Sequence, residues 1–324
     1  MSKVAIAQVP AIYHDKQGAL SRCCEIIDRA GAQGADIVVF PESWLGGYPA
    51  WCFGAADWKT ELGDDLYASF VRSSAVVEGP DHDLADVQEA ASRNAIAVVL
   101  GLNERATASS GTVFNSQVTI DPRGALVNHH RKLTPTSTEK NVWAPGDGSG
   151  LRATSLAGGR VGGLICWEHW NPLARQALHA EDEDIHVAAW PDLSEAHQIA
   201  SRSYAFEGRC FVVVTANILR SNDLPDELVS PFSQGIDAGD DEAMVFDGGS
   251  GVIDPWGRWV SGPQWDTEGL IVVDLDLTQI ERSRFRSDIA GHYQRPDVFS
   301  LTVSRERRPA SGVVMSDDAD SAGA

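Results

Sequence analysis

The stretch Arg160-Val-Gly-Gly-Leu-Ile165-Cys166-Trp-Glu-His-Trp170-Asn-Pro-Leu-Ala-Arg175-Gln-Ala-Leu-His-Ala180, continued by Glu-Asp-Glu-Asp184 and Ile-His-Val-Ala-Ala-Trp190, decides the fold class. Its apolar run 160–165 predicts a strand, 172–180 a helix and 186–190 a second strand. Strand, helix and strand in about thirty residues form the α/β signature. The first strand runs straight into Cys166, so the stretch that decides the fold also holds a candidate nucleophile.

Working outward, the same rhythm recurs. Residues 4–9 predict a strand, 18–31 a helix with Leu20, Cys23, Cys24, Ile27 and Ala30 on one side, and 37–40 a second strand. A helix over 83–94 and a strand over 95–102 follow. Residues 114–120 and 126–130 predict a hairpin turned by Asp121-Pro-Arg-Gly124. Downstream, 193–208 predicts a helix and 210–217 a strand. The runs 250–254 and 269–274 are expected to pair across Pro255-Trp-Gly257. The second half thus repeats the first, as two similar halves packed together would. No stretch rich in Pro, Gly or Ser separates independent domains, so residues 1–304 read as one unit. From Arg305 the chain turns charged and aperiodic, ending Asp317-Asp-Ala-Asp-Ser-Ala-Gly-Ala324. Residues 305–324 are expected to be an acidic, disordered tail.

The 324 residues suffice for a large core. With 26 Lys and Arg against 46 Asp and Glu, the formal charge is −20. Such a surface repels nucleic acid and anionic membranes and suits a small neutral substrate better than an anionic one. The five cysteines are odd in number and irregularly spaced, which argues against a disulfide framework. No Cys-x-x-Cys pair suggests zinc. The opening apolar run is too short for a signal peptide, and nothing approaches the roughly 18 apolar residues that span a bilayer. The cytoplasm is the expected compartment.

Three polar residues at or just past predicted strand ends make a chemical set. Glu42 closes Ile37-Val-Val-Phe-Pro-Glu42, Lys132 lies in His129-His-Arg-Lys132-Leu-Thr-Pro-Thr136, and Cys166 precedes Trp167-Glu168-His169. Only a thiolate attacks, and a free thiol is a few per cent ionised at neutral pH, so a base must take its proton. A carboxylate whose pKa burial has raised fits that task. An ammonium and the Trp167 N–H suit the negative charge that develops on the attacked group. Each residue alone has a bland reading: a buried structural cysteine, a capping carboxylate, a loop lysine. Cys23, Cys24 and Cys210 fit that bland reading. Three such residues together do not.

The motifs Pro41-Glu42-Ser43, Arg131-Lys132-Leu133-Thr134-Pro135-Thr136 and Cys166-Trp167-Glu168-His169 resemble, in order, the three catalytic motifs of the nitrilase superfamily of carbon-nitrogen hydrolases. Trp143-Ala-Pro-Gly-Asp-Gly-Ser149 and Cys166-Trp-Glu-His-Trp-Asn-Pro-Leu-Ala-Arg175 are similar to the nitrilase branch, and the latter to its arylacetonitrile-type members. The likeness covers residues 4–299. It implies a four-layer α-β-β-α sandwich, a cysteine-thioimidate mechanism without cofactor or metal, and a homodimer or larger homo-oligomer, extendable into spirals. It assigns Glu139 to the site as a second glutamate that positions Lys132, and Glu168 as a support. Amidase, carbamoylase or nitrile hydratase-like activity and cyanide hydrolysis remain open on the same residues, as does a silent binding module.

For the substrate pocket, Gly46-Gly-Tyr48-Pro-Ala-Trp51 resembles a nitrilase segment. Tyr48, Trp51, Trp143, Trp167, Trp170 and Trp190 are the candidate lining, although several of the 10 Trp must serve as packing. His292 reads as solvent-facing. His129 and His130 cannot both face one site, since neighbours on a strand point to opposite faces. His179-Ala-Glu181 reads as a helix end, Glu181-Asp-Glu-Asp184 as a solvated turn, and residues 146–150 and 248–251 as turns. No Gly-x-Ser-x-Gly elbow points to a serine hydrolase.

Overall fold

Alternate residues of each apolar strand enter different cores, and this builds the architecture. A computed structural model of the protein describes residues 1–54, 59–80, 82–156, 158–232 and 243–308. The first half runs β1 (Ser2–Gln8), α1 (Lys16–Ala32), β2 (Ile37–Val39), α2 (Glu61–Ser73), α3 (Ala85–Asn94), β3 (Ala97–Arg105), β4 (Val113–Ile120) and β5 (Leu126–Arg131). The second half runs β6 (Thr154–Leu156), β7 (Gly159–Ile165), α4 (Pro172–His179), β8 (Ile185–Trp190), α5 (Glu195–Gly208), β9 (Phe211–Ala216), β10 (Ile218–Arg220), α6 (Asp226–Phe232), β11 (Met244–Ile253), β12 (Trp259–Trp265), β13 (Gly269–Leu275) and α7 (Thr278–Arg284).

Two sheets result. One has the order β13-β1-β2-β3-β4-β5, the other β10-β11-β9-β8-β7-β6 with β12 on β11. Val4, Ile6, Ile37, Val39, Ala97 and Val99 of the first sheet meet Val161, Ile185, Val187, Phe211 and Val213 of the second in a shared core. The intervening residues Ala5, Ala7, Val38, Val98 and Leu100 face away, onto Leu20, Cys23 and Ile27 of α1 and Val87 and Ala90 of α3. On the far side, Leu164, Ala188, Val212 and Val214 pack on Ala177 and Leu178 of α4 and Ala200 and Tyr204 of α5. Helices, sheet, sheet and helices make the expected four layers, with period-two alternation burying both faces of every central strand.

One expected pairing is wrong. The 250–254 run, within β11, pairs with β12, with Ile253 opposite Trp259. The 269–274 run crosses to the other sheet and lies antiparallel to β1, Ser2 opposite Leu275. The intervening Ser-Gly-Pro of β12 masks it as a strand. Residues 248–251, read as a turn, instead lie inside β11, where its register slips and Gly248 and Gly249 take positive φ. The helix α2 had no counterpart in the reading; its short buried stripe is Leu66, Phe70 and Val71. Of the tail, residues 309–324 lie outside the described residues. At its start Arg305 pairs with Glu181, and Arg307 donates to the His129 carbonyl at 2.9 Å.

Candidate active site

β2, parallel to β1 and β3, and β7, parallel to β8, each lead at the carboxyl end into a candidate catalytic residue, the usual place for chemistry on parallel strands. Glu42 follows β2, Lys132 follows β5, and Cys166 follows β7. Each catalytic loop contains a left-handed residue that is not glycine: Ser43 at φ 54°, Ser137 at φ 49° and Cys166 itself at φ 55°. Such backbone costs of order 1–3 kcal/mol per residue and persists where packing enforces it. Gly101 of β3 is part of that packing, because a Cβ there would lie 2.0 Å from the Pro41 carbonyl oxygen.

The four polar residues converge. A carboxylate oxygen of Glu42, one of Glu139 and the Cys166 sulfur all lie within 4.8 Å of one another. Lys132 Nζ bridges the carboxylates, 2.9 Å from Glu42 Oε1 and 2.8 Å from Glu139 Oε2. All four residues are at most 2 % exposed. The three ligand-type atoms are near enough to chelate an ion, but the Lys132 ammonium already supplies the cation between the carboxylates.

Glu139 is fixed three ways. Thr136 N–H donates to Oε2 at 2.6 Å, closing a capping box over the 3₁₀ turn Ser137–Asn141. Lys132 donates to the same oxygen, and Tyr48 O–H to Oε1 at 2.7 Å. Glu42 is held differently. Lys132 and Asn115 Nδ2 (2.7 Å) both donate to Oε1, while the buried Oε2 has no hydrogen-bond partner.

Charge explains the titration. Burial pushes Glu42 up to about 7, against the pull of Lys132. Burial raises the Cys166 thiol well above its usual range, the Glu42 charge adds to this, and Lys132 and the Trp167 N–H oppose it. Lys132 is raised, its carboxylate neighbours and the sulfur outweighing burial. Two carboxylates already face one ammonium, so a resting thiolate would be a third anion in a water-poor site. The sulfur therefore rests as a thiol, and its proton has to leave as the bond to carbon forms.

Of the aromatic candidates, Tyr48 and Trp143 reach this cluster. Their rings meet edge to face at 5.6 Å, and Lys132 Nζ sits 5.6 Å from the Trp143 ring. Trp51 packs against Phe70 in the first core. Trp190 is fully buried between His169 and His197, its N–H on Ser201. Trp167 and Trp170 are exposed. Glu168 accepts from the Ile165 and Leu133 N–H groups and contacts His130, tying the Cys166 and Lys132 loops together. His129 instead contacts Glu104, on the opposite face of β5. His292 is exposed.

Three asparagines went unread. Asn115 holds Glu42 Oε1, Asn217 donates to the Glu42 carbonyl at 3.1 Å, and Asn103 bridges the Gly47 carbonyl and the Trp143 N–H. The signal was there for Asn115: a polar residue inside the strand Val113–Ile120 needs a buried partner.

A family model for carbon-nitrogen hydrolases matches residues 3–285. The chain belongs to the carbon-nitrogen hydrolase family. It is 35 % identical over 308 residues to "Nitrilase 2" of an unknown prokaryotic organism, covering 94 % of this chain and 93 % of that one. It is 34 % identical to "Nitrilase 3" of Arabidopsis thaliana over 93 % of this chain and 86 % of the relative. A crystal structure of a carbon-nitrogen hydrolase from Helicobacter pylori G27 shares the fold, with a TM-score of 0.68 at 18 % identity over 92 % of this chain and 96 % of that one. Among the described residues no helix is long and apolar enough to cross a membrane.

Proposed function

We propose that this carbon-nitrogen hydrolase is a nitrilase, converting R–C≡N and two waters to a carboxylic acid and ammonia. The observation that carries the chemistry is the buried cluster of Cys166, Glu42, Glu139 and Lys132, its atoms spaced for one reacting carbon. Relatives named nitrilases along nearly the whole chain support a nitrile over an amide.

In this reading Cys166 Sγ bonds to the nitrile carbon while Glu42, through its unpartnered Oε2, takes the thiol proton and returns it to nitrogen. Lys132 and the Trp167 N–H stabilise the charge on nitrogen, and a neutral thioimidate results. A water then adds to that carbon, its proton taken by Glu42. Protonation of the nitrogen breaks the C–N bond, ammonia leaves, and a thioester remains. A second water, deprotonated by Glu42, adds in turn. The C–S bond breaks, the acid departs and the thiol regains its proton. Glu139 keeps Lys132 aimed at Glu42. Tyr48 and Trp143 are the wall nearest the reacting atoms, which favours an aryl or arylacetic nitrile. The five free cysteines are consistent with a cytoplasmic enzyme, acting as a homodimer or larger assembly.

Ammonia release from matched nitriles and amides, with Cys166→Ala alongside, tests the reading. Wild-type protein is expected to release ammonia from nitriles and the variant none, with an unchanged melting temperature. Ammonia from amides alone would make this an amidase. A thiol that alkylates normally in a protein that turns over neither would make it a binding module.

A further inference from the structure

A chain of buried polar groups that the mechanism does not use begins at the Cys166 carbonyl. That oxygen accepts from His169 Nδ1 at 2.7 Å. His169 Nε2 lies 2.9 Å from His186 Nε2, and His186 Nδ1 lies 2.8 Å from Glu183 Oε1. Tyr204 O–H donates to Glu183 Oε2 at 2.6 Å. All four residues are buried, His186 stacking on Tyr204 with ring centres 3.7 Å apart.

With both rings neutral, their hydrogen bonds allow one direction. A carbonyl only accepts, so His169 carries its proton on Nδ1. Burial, with His186 beside it, holds His169 down to about 3, so its ring is neutral and Nε2 is a bare acceptor. His186 must then donate from Nε2. Burial holds that ring neutral too, which leaves Nδ1 to accept. The donor to it is a protonated Glu183, which burial pushes up to about 8. The far end is wedged against the nucleophile's own strand, since a Cβ at Gly162 would lie 2.3 Å from Glu183 Oε1.

We propose that His169, His186, Glu183 and Tyr204 are positioning residues that hold the Cys166–Trp167 peptide with its N–H aimed at the reacting atoms. A peptide unit is planar and trans, so its C=O and N–H point in opposite directions. Anchoring the carbonyl on His169 turns the Trp167 N–H towards the sulfur, where it draws the thiol down. Cys166 sits in the left-handed region, and the anchor keeps the following peptide from rotating. The role rests on the thiol mechanism above.

The test compares His169→Leu with His169→Asn, whose side-chain amide presents an N–H where Nδ1–H was. His169→Leu is expected to lower kcat about a hundred-fold, the scale of a misplaced oxyanion donor, with KM nearly unchanged. His169→Asn is expected to recover most of that loss. In ¹⁵N-histidine spectra of the full-length protein, His169 should be protonated at Nδ1 and His186 at Nε2. Alkylation of Cys166 by iodoacetamide reads the peptide without any substrate, and should slow in His169→Leu and recover in His169→Asn. A proton on His169 Nε2, an unchanged alkylation rate in His169→Leu, or His169→Asn as slow as His169→Leu would overturn the proposal. If His169→Leu does not fold, the spectra and the alkylation rate of His169→Asn against wild type decide it. Wild-type protein that releases no ammonia from any nitrile or amide would sink the functional reading instead, leaving spectra and alkylation to judge the anchor.

Discussion

Arg131 and Lys132 are neighbours in sequence, and each ends in a buried ion cluster on an opposite side of the first sheet. On one side Glu104 receives Arg131 through Nε at 3.0 Å and through Nη2, His129 Nε2 at 2.7 Å, and the Ser116 hydroxyl. On the other, Glu42 shares Lys132 with Glu139 and keeps one oxygen without a partner. Both carboxylates are 1 % exposed. Burial opposes ionisation in both, yet the bonds from His129 and Arg131 hold Glu104 down to about 2, while Glu42 rises to about 7. The difference is the ratio of cations to carboxylates. Glu104 has Arg131 and His129 as basic partners, His129 being shared with the exposed Glu78, and its charge is fully met. Two acids with one ammonium leave a carboxylate ready to take a proton.

The largest effect expected from breaking this contrast is on turnover. Glu42→Gln should lower kcat by about 10² to 10⁴, the usual worth of a general base, while the melting temperature holds or rises because an uncomfortable buried charge is gone. In wild-type protein kcat/KM should fall as pH drops below about 7, since the active form is ionised Glu42. That acid limb should vanish in the variant; its persistence there would assign the base elsewhere.

Glu104→Gln is the mirror experiment. Activity should survive, and stability should fall by about 3–5 kcal/mol, because a buried Arg131 loses its counter-charge. A depressed folded-state pKa also sets the pH window. Glu104 contributes stability above about 4.5, its unperturbed value, and loses it as pH falls towards about 2. Denaturant titration of both proteins at neutral and acid pH checks this. Equal stability at neutral pH would remove the distinction between the two clusters.

Part of this contrast was legible before the structure. The period-two rule separates His129 from His130 on the strand read over 126–130, and the observed strand carries that alternation on through Arg131. The central parallel strands were readable because both of their faces are apolar; Glu42 and Cys166 follow such strands, while Lys132 follows the antiparallel edge strand β5 and was readable from its motif. The exceptions have local causes. β12 carries Ser-Gly-Pro in its middle, so the pairing passed it by and joined the wrong runs. Glu104 and Asn115 sit in short polar runs within β3 and β4, and nothing local names their partners 12 to 73 residues away. The indole rings were the least readable, because Trp143 beside Lys132 and Trp190 in the second core have the same composition signal and opposite settings.

Tyr48→Phe is the smallest and most discriminating change. Its hydroxyl donates to Glu139 Oε1 at 2.7 Å, while Glu139 Oε2 holds Lys132. Removing it leaves the ring, its contact with Trp143 and the shape of the wall in place. A hydrogen bond to a charged group contributes about 1.5–3 kcal/mol, so part of that loss carried to Lys132 should lower kcat by about ten-fold. KM should stay put if Tyr48 acts through Glu139. A rise in KM at constant kcat would instead place the hydroxyl on the substrate, as a pocket residue. The split therefore tells whether the surplus carboxylate of the cluster is kept in place by the protein alone or by the protein and its substrate together.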